Sequence, residues 1–229
     1  MALIKLGALV SDIRNSINGS TYSHNRGGNY IRNKVTPVNP RSASQTALRA
    51  RFAQYAQQWR TLTTAQQQAW LAAVQNYKQT NVFGDLKTLT GLQLFLQVNS
   101  NLLASGGAAI TSPAAAKGVS IVNATGLTYT SGTPSLSLAY SANIPALTRV
   151  KIFATPPLSP GISFVKSQFR LISTLAPAAV SPANILAAYT AKFGAVGAVG
   201  TKIFVGMQFV DQTSGVPSPL QIISAVSAA

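Results

Sequence analysis

Apolar residues recur at helical spacing in one stretch of the chain and alternate with polar residues in others. Leu48, Phe52, Tyr55, Trp59 and Leu62 follow one another at three- and four-residue steps, which predicts a helix with one apolar stripe. Ser42 stands three residues before Gln45, the spacing of a capping box, and marks its start. Arg49, Arg51, Gln54, Gln58 and Arg60 fall off the stripe. Thr63 or Thr64, each with a Gln three residues on, starts a second helix whose stripe is Trp70, Ala73, Val74 and Tyr77. The link between the two is so short that they turn sharply against each other, and Trp59 and Trp70 are expected to pack together. "NVFGDLKT" reads as a loop. A third helix is predicted over Leu89–Ala104, burying Leu92, Phe95, Leu96, Val98 and Leu102 and ending at Gly106.

Further along, the period changes from helical to alternating. "PSLSLAY" alternates Leu136, Leu138 and Tyr140, and "RVKIFAT" sets Val150, Ile152 and Ala154 against Arg149, Lys151 and Phe153. "SQFRLIST", "TKIFVGMQFVD" (Ile203, Val205, Met207 and Phe209 on one face) and "LQIISAVS" continue the series. Short alternating strands separated by turns predict an antiparallel immunoglobulin- or fibronectin-like β-sandwich. One helix interrupts it, in "SPANILAAYTAKFG", with Ser181 as cap, Pro182 in the first turn and Gly194 at the end.

The remaining alternating stretch is "STYSHNRGGNYIRNKV", Ser20–Val35, which reads as a hairpin around Gly27-Gly28 with a turn of three or four residues. Alternation puts Tyr22 and His24 on one face of the first strand. Tyr30, Arg32 and Lys34 share a face of the second, with Ile31, Asn33 and Val35 opposite. Pro37 and Pro40 end the strand. Composition shifts near residue 106, from Arg-, Gln- and Trp-bearing to Ala-, Ser-, Val-, Pro- and Gly-rich, and "SGGAAITSPAAAKG" (Ser105–Gly118) reads as a flexible or extended linker. The expected fold is therefore α+β. Residues 1–41 form an N-terminal arm with a β-hairpin, 42–105 a short helical bundle, 106–118 a linker, and 119–229 the sandwich.

Charge narrows the chemistry. Eighteen Lys and Arg face three acids, Asp12, Asp85 and Asp211, for a net charge of +15 on 229 residues; there is no Glu, no Cys and a single His. That excludes disulfides, a thiol nucleophile and a cysteine-built zinc site, and it makes paired-carboxylate catalysis a poor fit. A serine triad would need His24, which sits in the hairpin. No catalytic residue, metal ligand or cofactor site is assigned, and no small-molecule substrate is expected. "GAVGAVG", Gly194–Gly200, lacks the Lys-Ser/Thr that a phosphate loop requires and reads as a flexible connection. The apolar start is short and interrupted by Lys5 and Asp12, so it does not read as a signal peptide, and no apolar run is long enough for membrane insertion.

Residues 1–60 carry nine Lys and Arg against one Asp, a net of +8. Two readings are open for this concentration: a protruding basic arm that docks on another subunit or on nucleic acid, or a solvated hairpin that keeps the chain soluble. On the first, the contact residues are Tyr22, Arg26, Tyr30, Arg32, Lys34, Arg49 and Arg51.

The block from "GALVSDIRNSINGSTYSHNRGGNYIRNKV" through "TPVNPRSASQTALRARFAQYAQQWRTLTTAQQQAW" resembles a group of uncharacterised proteins of bacteriophages and prophage-like regions. The shared features are an Asn-Arg-Gly-Gly-x-Tyr-x-Arg ribbon, an Asn-Pro-Arg segment, a Gln- and Arg-bearing helix ending in Trp, then Leu-Thr and a second Trp helix. The tail around "KIFATPPLSPG" is similar more loosely, to a fibronectin-like domain. The resemblance carries no catalytic residues. It implies a non-enzymatic virion component that assembles with copies of itself and other virion proteins, with packaged nucleic acid as a further candidate partner. Two alternatives stand beside it: a subunit of a bacterial extracellular filament or surface assembly, and a basic nucleic-acid-binding protein.

Overall fold

A computed structural model of the chain describes residues 2–4, 6–25, 28–77, 79–80, 86–87, 89–115 and 118–229. It divides into two units, residues 1–47 and 48–229.

In the first unit, β1 (Ala2–Leu3), β2 (Asn15–Ile17), β3 (Ser20–Asn25) and β4 (Gly28–Asn33) form one antiparallel sheet in the order β1-β4-β3-β2. The expected hairpin is thus the centre of a four-stranded sheet, not a lone ribbon. Asn25 pairs with Gly28, so two residues separate the paired ends, not three or four. Both of these, Arg26 and Gly27, lie outside the described residues.

The second unit begins within α1 (Ala43–Thr61), followed by α2 (Thr64–Ala73) and one 3-10 turn over Val74–Asn76. Ser42 Oγ accepts the Gln45 amide at 3.4 Å, a weak form of the expected cap. Thr63 makes a full capping box with Gln66. The loop expected over 81–88 lies outside the described residues, save that β5 (Gln79–Thr80) pairs with β6 (Leu86–Lys87). Then comes α3 (Gly91–Ala104), which opens on a second capping box, from Thr90 to Gln93.

Trp59 and Trp70 both pack on Phe95, a ring that the expected pairing left out. Ring centroids lie 5.6 Å from Phe95 for Trp59, 5.4 Å for Trp70 and 6.3 Å for Tyr55, the last two edge-on. Leu94, Val98 and Leu102 complete this core, while Leu92 and Leu96 are half-buried. The expected stripe on α1 is buried only at its C-terminal end. Leu48 and Phe52 are 53% and 46% exposed, whereas Tyr55 is 2% exposed. Packing explains this: α1 meets the aromatic cluster through Tyr55 and Trp59 on Phe95 of α3, and no residue of α1 before Tyr55 belongs to that cluster.

The expected linker is not loose. Buried Asn99 donates to the Ile110 carbonyl at 3.2 Å and accepts the Ile110 amide at 2.7 Å. Trp70 Nε1 donates to the Thr111 carbonyl at 2.8 Å, and the Tyr77 hydroxyl donates to that of Ala114 at 3.0 Å. Gly and Ser content allows an extended path, but these bonds fasten it to the helices.

The sandwich follows as β7 (Ala124–Thr130), β8 (Ser135–Tyr140), β9 (Thr148–Ala154), β10 (Arg170–Leu175), β11 (Ala183–Asn184), α4 (Leu186–Phe193), β12 (Lys202–Asp211) and β13 (Gln221–Val226). One sheet runs β11-β8-β7, the other β10-β9-β12-β13. The fold is α+β, and this two-sheet arrangement is the immunoglobulin/fibronectin-like sandwich with one inserted helix. The alternating residues do meet inside: Leu138, Val150, Ile152, Ala154, Ile203, Val205, Met207 and Phe209 have no exposed surface. The inserted helix starts later than expected. Ser181 precedes a cis peptide to Pro182, and its Oγ accepts the Tyr140 amide; β11 intervenes, and Asn184 Oδ1 accepts the Leu186 amide. Tyr189 of α4 is fully buried and donates to the Thr155 carbonyl, with burial pushing its phenol well above the usual range.

"GAVGAVG" is packed, not merely flexible. The Gly197 amide donates to the Tyr129 hydroxyl at 2.8 Å, and a Cβ there would collide with Thr201, Pro157 and Tyr129. Past β13 the tail crosses to the other sheet, where the Ala228 amide donates to the Tyr129 carbonyl at 3.0 Å. This tie covers part of the edge of β7, the place where a sheet otherwise pairs with a foreign strand.

A turn after β12 joins sandwich to helices. Asp211 is buried, and its Oδ2 accepts the amides of Thr213 and Ser214 and both of their hydroxyls, at 2.6–3.2 Å. Burial pushes this carboxyl up, but the four hydrogen bonds outweigh it and hold the carboxyl below its ordinary range. The ordered turn offers the Ser214 carbonyl to the Tyr77 hydroxyl and the Gly215 carbonyl to Asn101 Nδ2, both at 3.2 Å. Gly215 (φ 63°) lies so close to Val98 that a Cβ would approach it to 2.8 Å.

Two outcomes follow. Trp70→Ala should lower the unfolding free energy by about 3–5 kcal/mol, whereas Phe52→Ala should change it by less than about 1 kcal/mol, both read by urea denaturation. Because the folded-state pKa of Asp211 is depressed, its stabilisation is complete above the unfolded value of about 4 and is lost as pH falls through the folded value. The urea midpoint of the wild type should therefore fall on acidification below about pH 4 more steeply than that of Asp211→Asn, which should already be lower at pH 7.

Candidate assembly surface

The register of the N-terminal sheet decides which side chains act together. Directly paired residues in an antiparallel sheet point to the same face. Tyr22 pairs with Ile31 and Asn15, whereas Arg32 pairs with Thr21 and Tyr30 with Ser23. Tyr22, His24, Asn29 and Ile31 therefore share one face, and Thr21, Ser23, Tyr30 and Arg32 share the other. The two tyrosines that flank the Gly-Gly are on opposite sides of the sheet. Ser16 Oγ and Thr21 Oγ1, 2.9 Å apart, form a hydrogen bond on the face that carries Tyr30 and Arg32. Lys34 follows the end of β4, where its amide donates to the Gly19 carbonyl at 2.7 Å, and its side chain is exposed.

The two outer strands are what the sequence reading missed. A signal for one was present: Asn18-Gly19, the dipeptide that favours a two-residue hairpin turn, sits between Ile17 and Ser20, which pair. Asn18 adopts a positive φ of 49°. Ala2 and Leu3 pair with Ile31 and Tyr30, and the Ile4 amide donates to Asn29. Two residues give no period to detect.

None of the described side chains of the first unit is buried, although its sheet is fully hydrogen-bonded along the central pair. Ile17, Val35 and Val38 are 61%, 78% and 87% exposed. Arg14 pairs with Asp12 at 2.6 Å, and both are solvent-facing, so the pair adds little stability.

Of the residues expected at a contact, Tyr22, Tyr30, Arg32 and Lys34 belong to this unit, and Arg26 lies outside the described residues. Arg49 and Arg51 lie in the second unit, on the first turns of α1, where residues 43–54 are all exposed. Arg51 is close enough to Tyr55 to offset part of the upward push that burial gives that phenol. The expected residues are thus divided between two sheet faces and a helix.

Two shallow clefts occur in the second unit. One, about 260 Å³, is lined by Trp59, Gln67, Leu71 and Gly91; the other, about 230 Å³, by Ser167, Gln168, Arg170 and Phe193. Neither lining includes a His or an acid. Among the described residues there is no group of three His or acidic side chains able to hold a metal, and no helix is long and apolar enough to cross a membrane.

No protein-family model, no curated protein and no solved structure matches the chain.

A sheet without buried side chains opens locally at little cost. Amides of Thr21–His24 and Asn29–Arg32 should exchange with deuterium at least about a hundredfold sooner than those of Val205 and Met207 in the isolated chain. Equal protection, measured by residue-resolved exchange, would mean that the sheet is covered without a partner.

Proposed function

We propose that this chain is a non-enzymatic structural subunit of a bacteriophage virion, which assembles through its basic N-terminal region with copies of itself and with other virion proteins. The observation that carries this reading is a hydrogen-bonded four-stranded sheet with no buried side chain among its described residues. A sheet normally becomes stable by burying a face. Here Thr21–Ser23 and Asn29–Ile31 are half-buried on both faces, which leaves part of each face available to another chain, as is the exposed apolar start of the α1 stripe. The ribbon and paired-Trp motifs resembling bacteriophage proteins support the virion rather than another polymer. A subunit of a bacterial extracellular filament would use the same surfaces, and the particle in which the chain is found separates the two.

Net charge favours a second contact. Copies at +15 repel one another at close range unless something negative is near. Arg26, Arg32, Lys34, Arg49 and Arg51 are the residues for that contact. The mixture of Tyr, Asn and Arg in the hairpin suits backbone pairing and side-chain hydrogen bonds, and no base-reading motif accompanies it. An acidic protein neighbour is therefore favoured over packaged nucleic acid.

Deleting Ser20–Val35 should leave a soluble chain with an intact sandwich that no longer assembles, as read by sedimentation and electron microscopy. Normal assembly of the deletion would overturn the role given to this region. Immunogold labelling with antibody to the sandwich should mark virions, and labelling confined to cell-surface filaments would favour the alternative. If the site faces duplex DNA instead, affinity will fall with salt at a log–log slope of about −0.9 per neutralised phosphate.

A further inference from the structure

The sheet β10-β9-β12-β13 has an inner face in the core and an outer face that the chain covers only in part. Pairing fixes the outer set. Leu171 lies opposite Phe153, Phe153 opposite Gly206, and Gly206 opposite Ile222, a row across all four strands. With strands about 4.8 Å apart, the row spans about 14 Å. Phe204 with Ser224, then Lys202 with Val226, continue the same face.

At one end this face is covered. Gln208 Nε2 donates to the Ser218 carbonyl, and Leu220 folds over Gly206, whose absent side chain leaves it room. Along the two edge strands it is open: Ile222 is 53%, Val226 50% and Leu171 41% exposed, whereas Phe204 on β12 is buried. These are large apolar groups set in a rigid, paired sheet, not on a loop.

The charge on this face has one sign. Arg149, Lys151 and Lys202 point outward from β9 and β12, and no acid does. The Lys202 ammonium sits 4.7 Å from the centre of the Phe204 ring, at the edge of the apolar patch. Lys151, next to Phe153 on the same face, is only 6% exposed and lies between Thr174 and Gln208. Burial pushes its ammonium below the ordinary lysine range, as expected for a cation set in a protein surface without an anion.

We propose that this outer sheet face, centred on Phe153, Ile222 and Val226 and flanked by Lys202, is a docking site for an acidic, apolar surface of a different protein. A second copy is a poor occupant because it has little negative charge to offer. Of its three acids, Asp211 is buried under four hydrogen bonds and Asp12 pairs with Arg14, which leaves Asp85. A wholly apolar partner would leave Lys202 facing an uncharged surface. A partner that alternates carboxylates with apolar side chains satisfies both features. The site belongs to the second unit and does not depend on the assembly reading.

The test uses the full chain, isotope-labelled, and two synthetic peptides, one alternating Glu with Leu and one alternating Lys with Leu. The Glu-Leu peptide should shift the resonances of Phe153, Leu171, Ile222 and Val226, and the Lys-Leu peptide should not. Ile222→Glu and Lys202→Glu, both at outward-facing positions, should each weaken the Glu-Leu peptide by about tenfold or more, with Val205 resonances unchanged as proof of folding. The joint variant Arg32→Ala with Lys34→Ala should bind it as tightly as the parent. Equal binding of both peptides, or shifts confined to residues 20–34, would overturn the proposal. So would self-association that Ile222→Glu abolishes, because the occupant would then be a second copy.

Discussion

The carboxylate of Asp211 organises the junction on which the second unit depends. One oxygen gathers two amides and two hydroxyls, and so the segment after β12 is held in one shape. That shape presents two carbonyls outward, and the helices meet them through Tyr77 and Asn101. Val98 closes on Gly215 between these bonds. Helices and sandwich were expected as separate domains joined by a linker. They are joined as much by this turn as by the connecting chain. One of three acids in a chain of eighteen cations is therefore committed to architecture.

The scarcity of acids shapes the rest of the surface. Most proteins balance their cations locally, and a patch of lysine usually has a glutamate near it. Among the described residues this chain uses that option once, in Arg14 beside Asp12. Lys202 rests on an aromatic ring, Arg149 donates to Gln212, and Arg170 donates to two backbone carbonyls. Neutral acceptors position a cation but do not cancel its charge. Any contact made by this molecule is consequently formed against a positive background, and partners that carry anions gain where neutral ones do not.

The sequence read most clearly where one face of an element is buried. β8 and β9 alternate because their inner residues fill the sandwich, and the pattern Val150, Ile152, Ala154 was legible from spacing, whereas β12 is buried on both faces over most of its length. Phe95 was placed in the core, but its position between Trp59 and Trp70 was not legible, since spacing tells which face is apolar and not which neighbour fills it. The N-terminal sheet was half read. Its central strands have a period, whereas β1 has two residues and β2 three. The opposite placement of Tyr22 and Tyr30 followed only from the pairing register, because one residue of slip exchanges the faces. What fastens the linker was not legible, because Asn99, a polar residue inside an apolar stripe, is what binds it.

The exposed part of α1 has a mechanical consequence. Within the second unit, Leu48–Gln54 extend about 10 Å beyond Tyr55, the point where the helix is gripped by Phe95. A straight helix is stiff over that distance, so the segment behaves as a lever with its fulcrum in the aromatic cluster. Tilting it by about 10° moves Leu48 by about 2 Å, and the cluster itself is displaced very little. A small change in how Trp59 or Tyr55 rests on Phe95 is therefore enlarged at Leu48. The angle at which this helix leaves the core is set by a few aromatic contacts, and substitutions within them would alter geometry at a distance while leaving the exposed surface chemistry unchanged.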